Sequence, residues 1–79
     1  MKAVVTVTLK DGVLDPQGRA IGHALETLGF SSVGEVRAGK VIELDFRDAD
    51  AAETRRLAED AAKRLLANPV IERFSVEVR

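Results

Sequence analysis

The chain has no cysteine, no tyrosine and no tryptophan, and it has only one histidine among its 79 residues. Without cysteine it has neither a disulfide nor a thiolate metal site, and one histidine cannot build a zinc site alone. The RNA-binding sheets that stack bases do so on exposed aromatic side chains, but tyrosine and tryptophan are absent here, and Phe46 and Phe74 fall on the inward faces of their predicted strands. A disulfide scaffold, a metal centre and a base-stacking RNA module are therefore not expected.

An excess of one charge and a long apolar run are also missing. Twelve basic residues face 13 acidic residues, and the net charge of -1 gives no field to attract nucleic acid or an anionic membrane. The longest uncharged apolar runs are a handful of residues, and the first residues lead directly into a strand pattern rather than a secretion signal. We expect no nucleic-acid partner, no membrane contact and a cytoplasmic location.

The length predicts a single domain, residues 1–79, with a thin margin of stability. A domain of this size buries only about 60% of the surface that its unfolded chain exposes. With no disulfide and no metal to add stability, oligomerisation is the remaining common solution. We expect a homo-oligomer, a homodimer or a homotetramer, in which an exchange of segments between subunits is possible.

A helix start stands out after the first β-branched run, residues 3–9. Asp15 has the side-chain oxygen of an N-cap, and Pro16 suits the first helical position, where its missing N–H has no intrahelical partner. Gln17 and Gly18 follow, although a glycine in a helix interior costs roughly 1 kcal/mol relative to alanine. Folding alone does not explain this glycine, and the stretch is therefore a candidate functional segment.

Periodicity and turn residues predict six elements in the order βαββαβ. Gly39 and Lys40 are expected to form the turn of a hairpin, Asp50 to cap the second helix, and Asn68-Pro69 to end it. The predicted strands are Ala3 to Leu9, Val33 to Ala38, Val41 to Phe46 and Ile71 to Val78; the predicted helices run from Pro16 to about Leu28 and from Ala51 to about Ala67, with Leu65 and Leu66 on the buried side.

This order of elements is that of the split βαβ, ferredoxin-like motif. Right-handed crossovers then give an antiparallel four-stranded sheet of spatial order 4-1-3-2, an α+β fold with both helices on one face. The first and third strands are expected to be central. The face without helices is mixed in polarity, which suits either a wet protein interface or ordinary exposure to solvent.

The chemistry of an active site is missing. His23 is predicted to lie on the outer surface of the first helix, and no serine or threonine is placed near it as a nucleophile. The loop at residues 11–14 has no arginine, which excludes a small acyl phosphatase. Gly12 and Gly39 form no phosphate-binding pattern. We therefore predict no catalytic, cofactor-binding or metal-binding residue.

Three stretches together resemble the PurS family, the small subunit of bacterial and archaeal phosphoribosylformylglycinamidine synthase. They are Val-Leu-Asp-Pro-Gln-Gly at 13–18, Val-Arg-Ala-Gly-Lys at 36–40, and Leu-Leu-Ala-Asn-Pro-Val-Ile-Glu at 65–72. Asp15-Pro16 and Asn68-Pro69 are helix signals in any protein, but the three stretches occur in the right order on the right topology. The likeness covers the chain almost end to end.

The resemblance implies a non-catalytic subunit that joins a glutaminase subunit to an ATP-dependent synthetase subunit. The assembled enzyme converts formylglycinamide ribonucleotide to its amidine in purine biosynthesis, and ATP, Mg and glutamine are used by the partner subunits. Gln17, Gly18, Arg37 and Lys40 are then the candidate partner contacts. Alternatively, Gly18 and Gly22 let the helix lie close to the sheet, and the two cations are simply solvated.

A second class of function also fits the predicted fold. Ferredoxin-like domains of the amino-acid-binding, regulatory type hold a small effector between subunits, and the glycine after the first strand, Gly12, permits this interpretation. It predicts a small-molecule ligand, whereas the PurS resemblance predicts binding to large protein partners.

Overall fold

The computed structural model describes residues 1–79 and shows an α+β fold with two helices and an antiparallel sheet. The elements are β1 (Lys2–Leu9), α1 (Pro16–Thr27), β2 (Gly39–Asp45), α2 (Ala51–Ala61), a π-helical turn (Ala62–Leu66) and β3 (Glu72–Val78). The spatial order of the sheet is β2-β1-β3, so β1 is the central strand as predicted. Neither helix is long and apolar enough to cross a membrane.

The core lies between the sheet and α2. Val5 of β1 pairs with Ile42 of β2 on one side and with Val76 of β3 on the other, so the apolar residues of all three strands share one face. α2 lies over β1 and β3, and Ala58 of α2 and Ala62 of the π-helical turn belong to the core on this face. The fully or almost fully buried core consists of Ala3, Val5, Val7, Ala58, Ala62 and Ala67.

The predicted strand Val33 to Ala38 does not form, and the sheet has three strands rather than four. The backbone N–H of Ala38 is donated to the Asp15 carboxylate, and Arg37 turns its side chain toward the loop before α1. Because these groups are bonded to that loop, residues 33–38 do not pair with β2. Gly39 and Lys40 belong to β2 instead of a hairpin turn, and β2 is an edge strand rather than a central one.

The predicted packing of both helices on the sheet is also wrong, because only α2 packs there. α1 instead places Gly18 and Gly22 next to Val36 of residues 33–38, which we call the irregular segment. Its apolar residues are poorly covered: Leu25 is half-buried, Ile21 is 40% exposed, and Leu28, the C-cap, is 73% exposed. The molecule is correspondingly elongated, with extents of 49 × 24 × 14 Å.

The second helix ends close to the predicted position, but the side chains that its last turn exposes are not the ones that we expected. The last turn is π-helical, which inserts an extra residue into the turn and rotates the residues that follow. Leu65, which we expected to be buried, is 83% exposed, and Ala67 is buried instead. Asn68-Pro69 ends the helix as predicted, and the Asn68 Oδ1 accepts from the Val70 N–H at 3.0 Å.

Candidate functional site

Asp15 is the centre of the stretch that joins β1 to α1. Its Oδ1 accepts the Gly18 N–H at 2.8 Å, which confirms the predicted N-cap, and Pro16 is the first helical residue. Its Oδ2 accepts the N–H of Ala38 at 2.7 Å, a bond that spans 23 positions of the chain. One buried carboxylate therefore fixes both the start of α1 and the end of the irregular segment.

Arg37 makes the opposite connection. Its guanidinium donates to the carbonyl oxygen of Val13 at 2.8 Å, to that of Lys10 at 3.1 Å and to that of Leu9 at 3.5 Å. Arg37 thus fixes the loop before α1, while Asp15 fixes the irregular segment that contains Arg37. We call these reciprocal hydrogen bonds of Asp15 and Arg37 the latch.

The electrostatics of the latch favour an ionised Asp15. The Gly18 N–H lowers the pKa of the Asp15 carboxyl most, the Ala38 N–H lowers it further, and burial opposes both. The positive charge of Arg37 also lowers this pKa. Asp15 is therefore a structural carboxylate and not a proton donor at neutral pH.

Gly18 is buried, so its backbone does not lie open at the surface as that of a direct partner contact would. A Cβ at this position would lie far inside van der Waals contact with the Val36 carbonyl oxygen, 2.9 Å from the Val36 carbonyl carbon and 3.0 Å from the Asp15 Oδ2. The alternative role, close approach, is the one observed. The helix approaches the irregular segment, however, rather than the sheet.

Gln17 and Lys40 lie together at an open cleft of about 210 Å³ beside the latch. Both residues are exposed, and neither side chain forms a hydrogen bond or an ion pair within the chain. Of the four candidate contact residues, these two are free to bind another molecule. Gly18 and Arg37 instead line a second, shallow groove of about 690 Å³ on the far side of the latch.

The larger groove offers charge but no catalytic arrangement. His23 is exposed at its rim, as predicted, together with charged side chains of both signs. No group of three or more metal-ligating side chains comes together in the structure. Besides His23, the groove is lined by the charged residues Asp15, Arg19, Glu26, Glu35 and Arg37.

The backbone partners of the latch were beyond sequence reasoning. The capping bond to Gly18 follows from the spacing of three residues, which is local. The bonds to Ala38 and Val13 are made to backbone groups, which nearly every residue type has, so the sequence does not reveal them. Gly18 was the one signal in the sequence, since a glycine at this helix start is consistent with close packing of the helix against another segment.

Comparison with known proteins gives a consistent relationship along the whole chain. The family model described as PurS, phosphoribosylformylglycinamidine (FGAM) synthase, matches residues 2–79. The phosphoribosylformylglycinamidine synthase subunit PurS of Methanocaldococcus jannaschii is 42% identical over 77 residues, which cover 98% of this chain and 93% of that protein. The subunit of the same name from Bacillus subtilis is 43% identical, over 98% of this chain and 90% of that protein.

Solved structures agree with the sequence relationship. The crystal structure of Methanocaldococcus jannaschii PurS superposes with a TM-score of 0.88 at 41% identity, over 99% of this chain and 94% of that chain. A chain in the structure of PurLQS from Thermotoga maritima gives a TM-score of 0.85 at 29% identity, over 96% and 93% of the two chains. The match of the family model to residues 2–79 and this end-to-end similarity lead to one conclusion: the chain belongs to the PurS family.

Proposed function

We propose that this chain is the small, non-catalytic subunit of phosphoribosylformylglycinamidine synthase in purine biosynthesis, and that it joins the glutaminase subunit to the ATP-dependent synthetase subunit. The observation that carries this proposal is its likeness, over 96% of its length, to a chain of the PurLQS structure from Thermotoga maritima. The cellular location that goes with this role is the cytoplasm.

In this proposal the chemical steps take place on the partner subunits. ATP, Mg and glutamine bind to the synthetase and glutaminase subunits, and this chain contributes surface. Its most buried carboxylate, that of Asp15, is committed to two backbone N–H groups, and the Arg37 guanidinium is committed to backbone carbonyls. Groups that are bonded in this way position a loop; they do not act on a substrate.

Gln17 and Lys40 are the proposed direct contacts with a partner subunit. Their side chains are exposed at one cleft and have no partner within the chain, so binding breaks no internal bond. Arg37, Asp15 and Gly18 act through them as positioning residues, because the latch fixes the helix start that carries Gln17 and the segment that precedes Lys40. The ferredoxin-like assignment also belongs to this proposal, since β1, β2 and β3 keep the neighbour order of that motif's first, third and fourth strands.

Reconstitution of the three-subunit enzyme tests the proposal. The chain is combined with the glutaminase and synthetase subunits of the same source, and glutamine-dependent amidation and co-elution of the subunits are measured. Lys40→Glu is expected to weaken assembly by about tenfold or more, as loss of a central contact does. Lys63→Glu is the matched control, because Lys63 is also exposed but lies on the π-helical turn.

Two results contradict the proposal. One is full glutamine-dependent activity of the other two subunits in the absence of this chain. The other is glutaminase or ATPase activity of the isolated chain that a point substitution abolishes. A thermal-shift screen with amino acids and nucleotides separates the regulatory-domain alternative, which requires a stabilising small ligand.

A further inference from the structure

A groove of about 440 Å³ is lined by the π-helical turn, the turn that follows it and the start of β3. Its walls include the apolar residues Ala67, Pro69 and Phe74. Ala67 belongs to the core, and Phe74 packs against that core but is only half-buried. The hydrophobic core therefore reaches the surface here, and the volume of the groove falls in the range of small-molecule sites.

Three cationic side chains line the same groove, against one carboxylate. The cations are Lys10, Lys63 and Arg73, and the carboxylate is that of Glu72. The Glu72 Oε1 accepts the Asn68 N–H at 2.7 Å, so this carboxylate is already bonded within its own turn. The local excess of positive charge stands out in a chain whose net charge is -1. We call this groove the basic groove.

The lysines of the basic groove keep hydrogen-bond donors that the fold does not use. Lys63 is exposed and forms no hydrogen bond or ion pair within the chain. The Lys10 Nζ donates to the Pro69 carbonyl oxygen at 2.7 Å, which holds the ammonium at the groove and leaves two of its three protons free. Arg73 is partly neutralised, because one of its terminal nitrogens lies 3.6 Å from the Asp11 Oδ1. The charges available to a ligand are therefore those of the two lysines.

We infer that the basic groove binds a small organic anion, whose apolar body covers Phe74 and whose phosphate or carboxylate accepts from Lys63 and Lys10. An inorganic anion would leave the apolar wall in water, and an apolar molecule would leave both ammonium groups without a counter-charge. A ligand with both parts satisfies the groove. Lys63 and Phe74 belong neither to the latch nor to the cleft of Gln17 and Lys40, so this site is separate from the proposed partner contacts.

Titration of the full, isotope-labelled chain with four simple probes tests this site by NMR. Phenyl phosphate and benzoate combine an apolar ring with an anion, whereas inorganic phosphate and benzyl alcohol carry one part each. We expect the amide signals of Ala67, Arg73 and Phe74 to shift together and to saturate with a ring-bearing anion. The dissociation constant should be about tenfold or more higher for each single-part probe. The tighter of the two ring-bearing anions identifies the headgroup as phosphate or carboxylate.

Matched lysine variants test the contribution of charge. Lys63→Gln keeps a polar side chain but removes the ammonium, and it should weaken phenyl phosphate binding about tenfold. Lys2→Gln is the control, because Lys2 is also exposed but lies at the other end of β1, about 27 Å from Lys10 along an extended strand. This control should bind phenyl phosphate as the wild type does. All titrations use one salt concentration, since salt screens exposed charges.

Any of four results overturns the inference. The first two are the absence of a saturable shift with both ring-bearing anions, and inorganic phosphate that binds as tightly as phenyl phosphate. The others are wild-type affinity in Lys63→Gln, and a weakening in Lys2→Gln that equals the weakening in Lys63→Gln. A Lys63→Gln chain that no longer assembles with the glutaminase and synthetase subunits assigns the groove to a partner subunit, and likewise overturns it.

Discussion

Gly18→Ala should destabilise the chain, against the ordinary preference of helices for alanine. In an open helix position the change contributes about 1 kcal/mol of stability. Here the new methyl group meets the Val36 carbonyl, 2.9 Å from its carbon and closer still to its oxygen. The obstacle is backbone, so it cannot rotate away as a flexible side chain does.

The magnitude follows from what must move. Restoring ordinary contact requires Val36 to retreat by about 1 Å, since carbon atoms pack at about 3.5 to 4.0 Å. Val36 is joined to residues 37 and 38, which the latch bonds to the loop before α1. Overpacking of this kind costs typically about 1–3 kcal/mol. Because the obstacle is rigid backbone, we expect a cost at the upper end of this range, about 3 kcal/mol. Subtracting the helix preference for alanine, about 1 kcal/mol, leaves a net loss of about 2 kcal/mol.

Gly22→Ala is the matched control for this prediction. Gly22 lies one turn later on the same helix, and a Cβ there would be 3.4 Å from a methyl group of Val36, which is ordinary contact. This variant should be as stable as the wild type or slightly more so. Urea unfolding at one fixed chain concentration measures both, because stability of an oligomer depends on concentration. If Gly18→Ala unfolds at the same urea concentration as Gly22→Ala, the close approach of α1 to Val36 is not rigid and the reasoning fails.

Four further substitutions probe the latch, the cleft beside it and the buried side of α2. Hydrogen bonds lower the pKa of Asp15 below its usual 3.8, so its carboxylate stabilises the fold fully at pH values above 3.8 and loses this effect as the pH falls through the lowered pKa. Asp15→Asn should therefore flatten the acid side of a plot of the urea unfolding midpoint against pH. An acid side that is unchanged in this variant would contradict the assignment. Arg37→Lys removes the planar donor that reaches three carbonyls and should cost about 1–2 kcal/mol in urea unfolding, whereas Lys40→Ala should stay within about 0.5 kcal/mol. Thr54→Val should raise the thermal midpoint, with a gain of about 1 kcal/mol, because the fully buried Thr54 hydroxyl has no hydrogen-bond partner; a loss of stability would reveal an unrecognised bond.

Local patterns predicted most of the helices and strands. The alternation in residues 3–9 and 41–46 identifies two strands and their inward faces, and the pairs Asp15-Pro16 and Asn68-Pro69 mark the correct helix boundary at each place. These features depend on neighbours a few residues apart, which the sequence displays directly.

The errors arose where distant contacts decide the structure. Residues 33–38 have the composition of a strand, but Asp15 and the loop before α1 engage their polar groups from more than 20 positions away. An apolar stripe on α1 predicts that something covers it, yet it cannot indicate which surface does so. Leu65 faces solvent because of a π-helical turn, for which side-chain periodicity gives no warning. The meeting of Gln17 and Lys40 at one cleft likewise depends on the fold.

The latch also determines where the chain can change in length. The loop before α1 and the segment before β2 are bonded to each other through particular atoms, so one inserted residue in either would separate Arg37 or Asp15 from its acceptor or donor. The turn between α1 and that segment is different, because its backbone hydrogen bonds are all local and Ser31 and Ser32 are exposed. Insertions and deletions among homologues should therefore concentrate at Ser31-Ser32, and this turn is the place to graft an epitope or a labelling peptide.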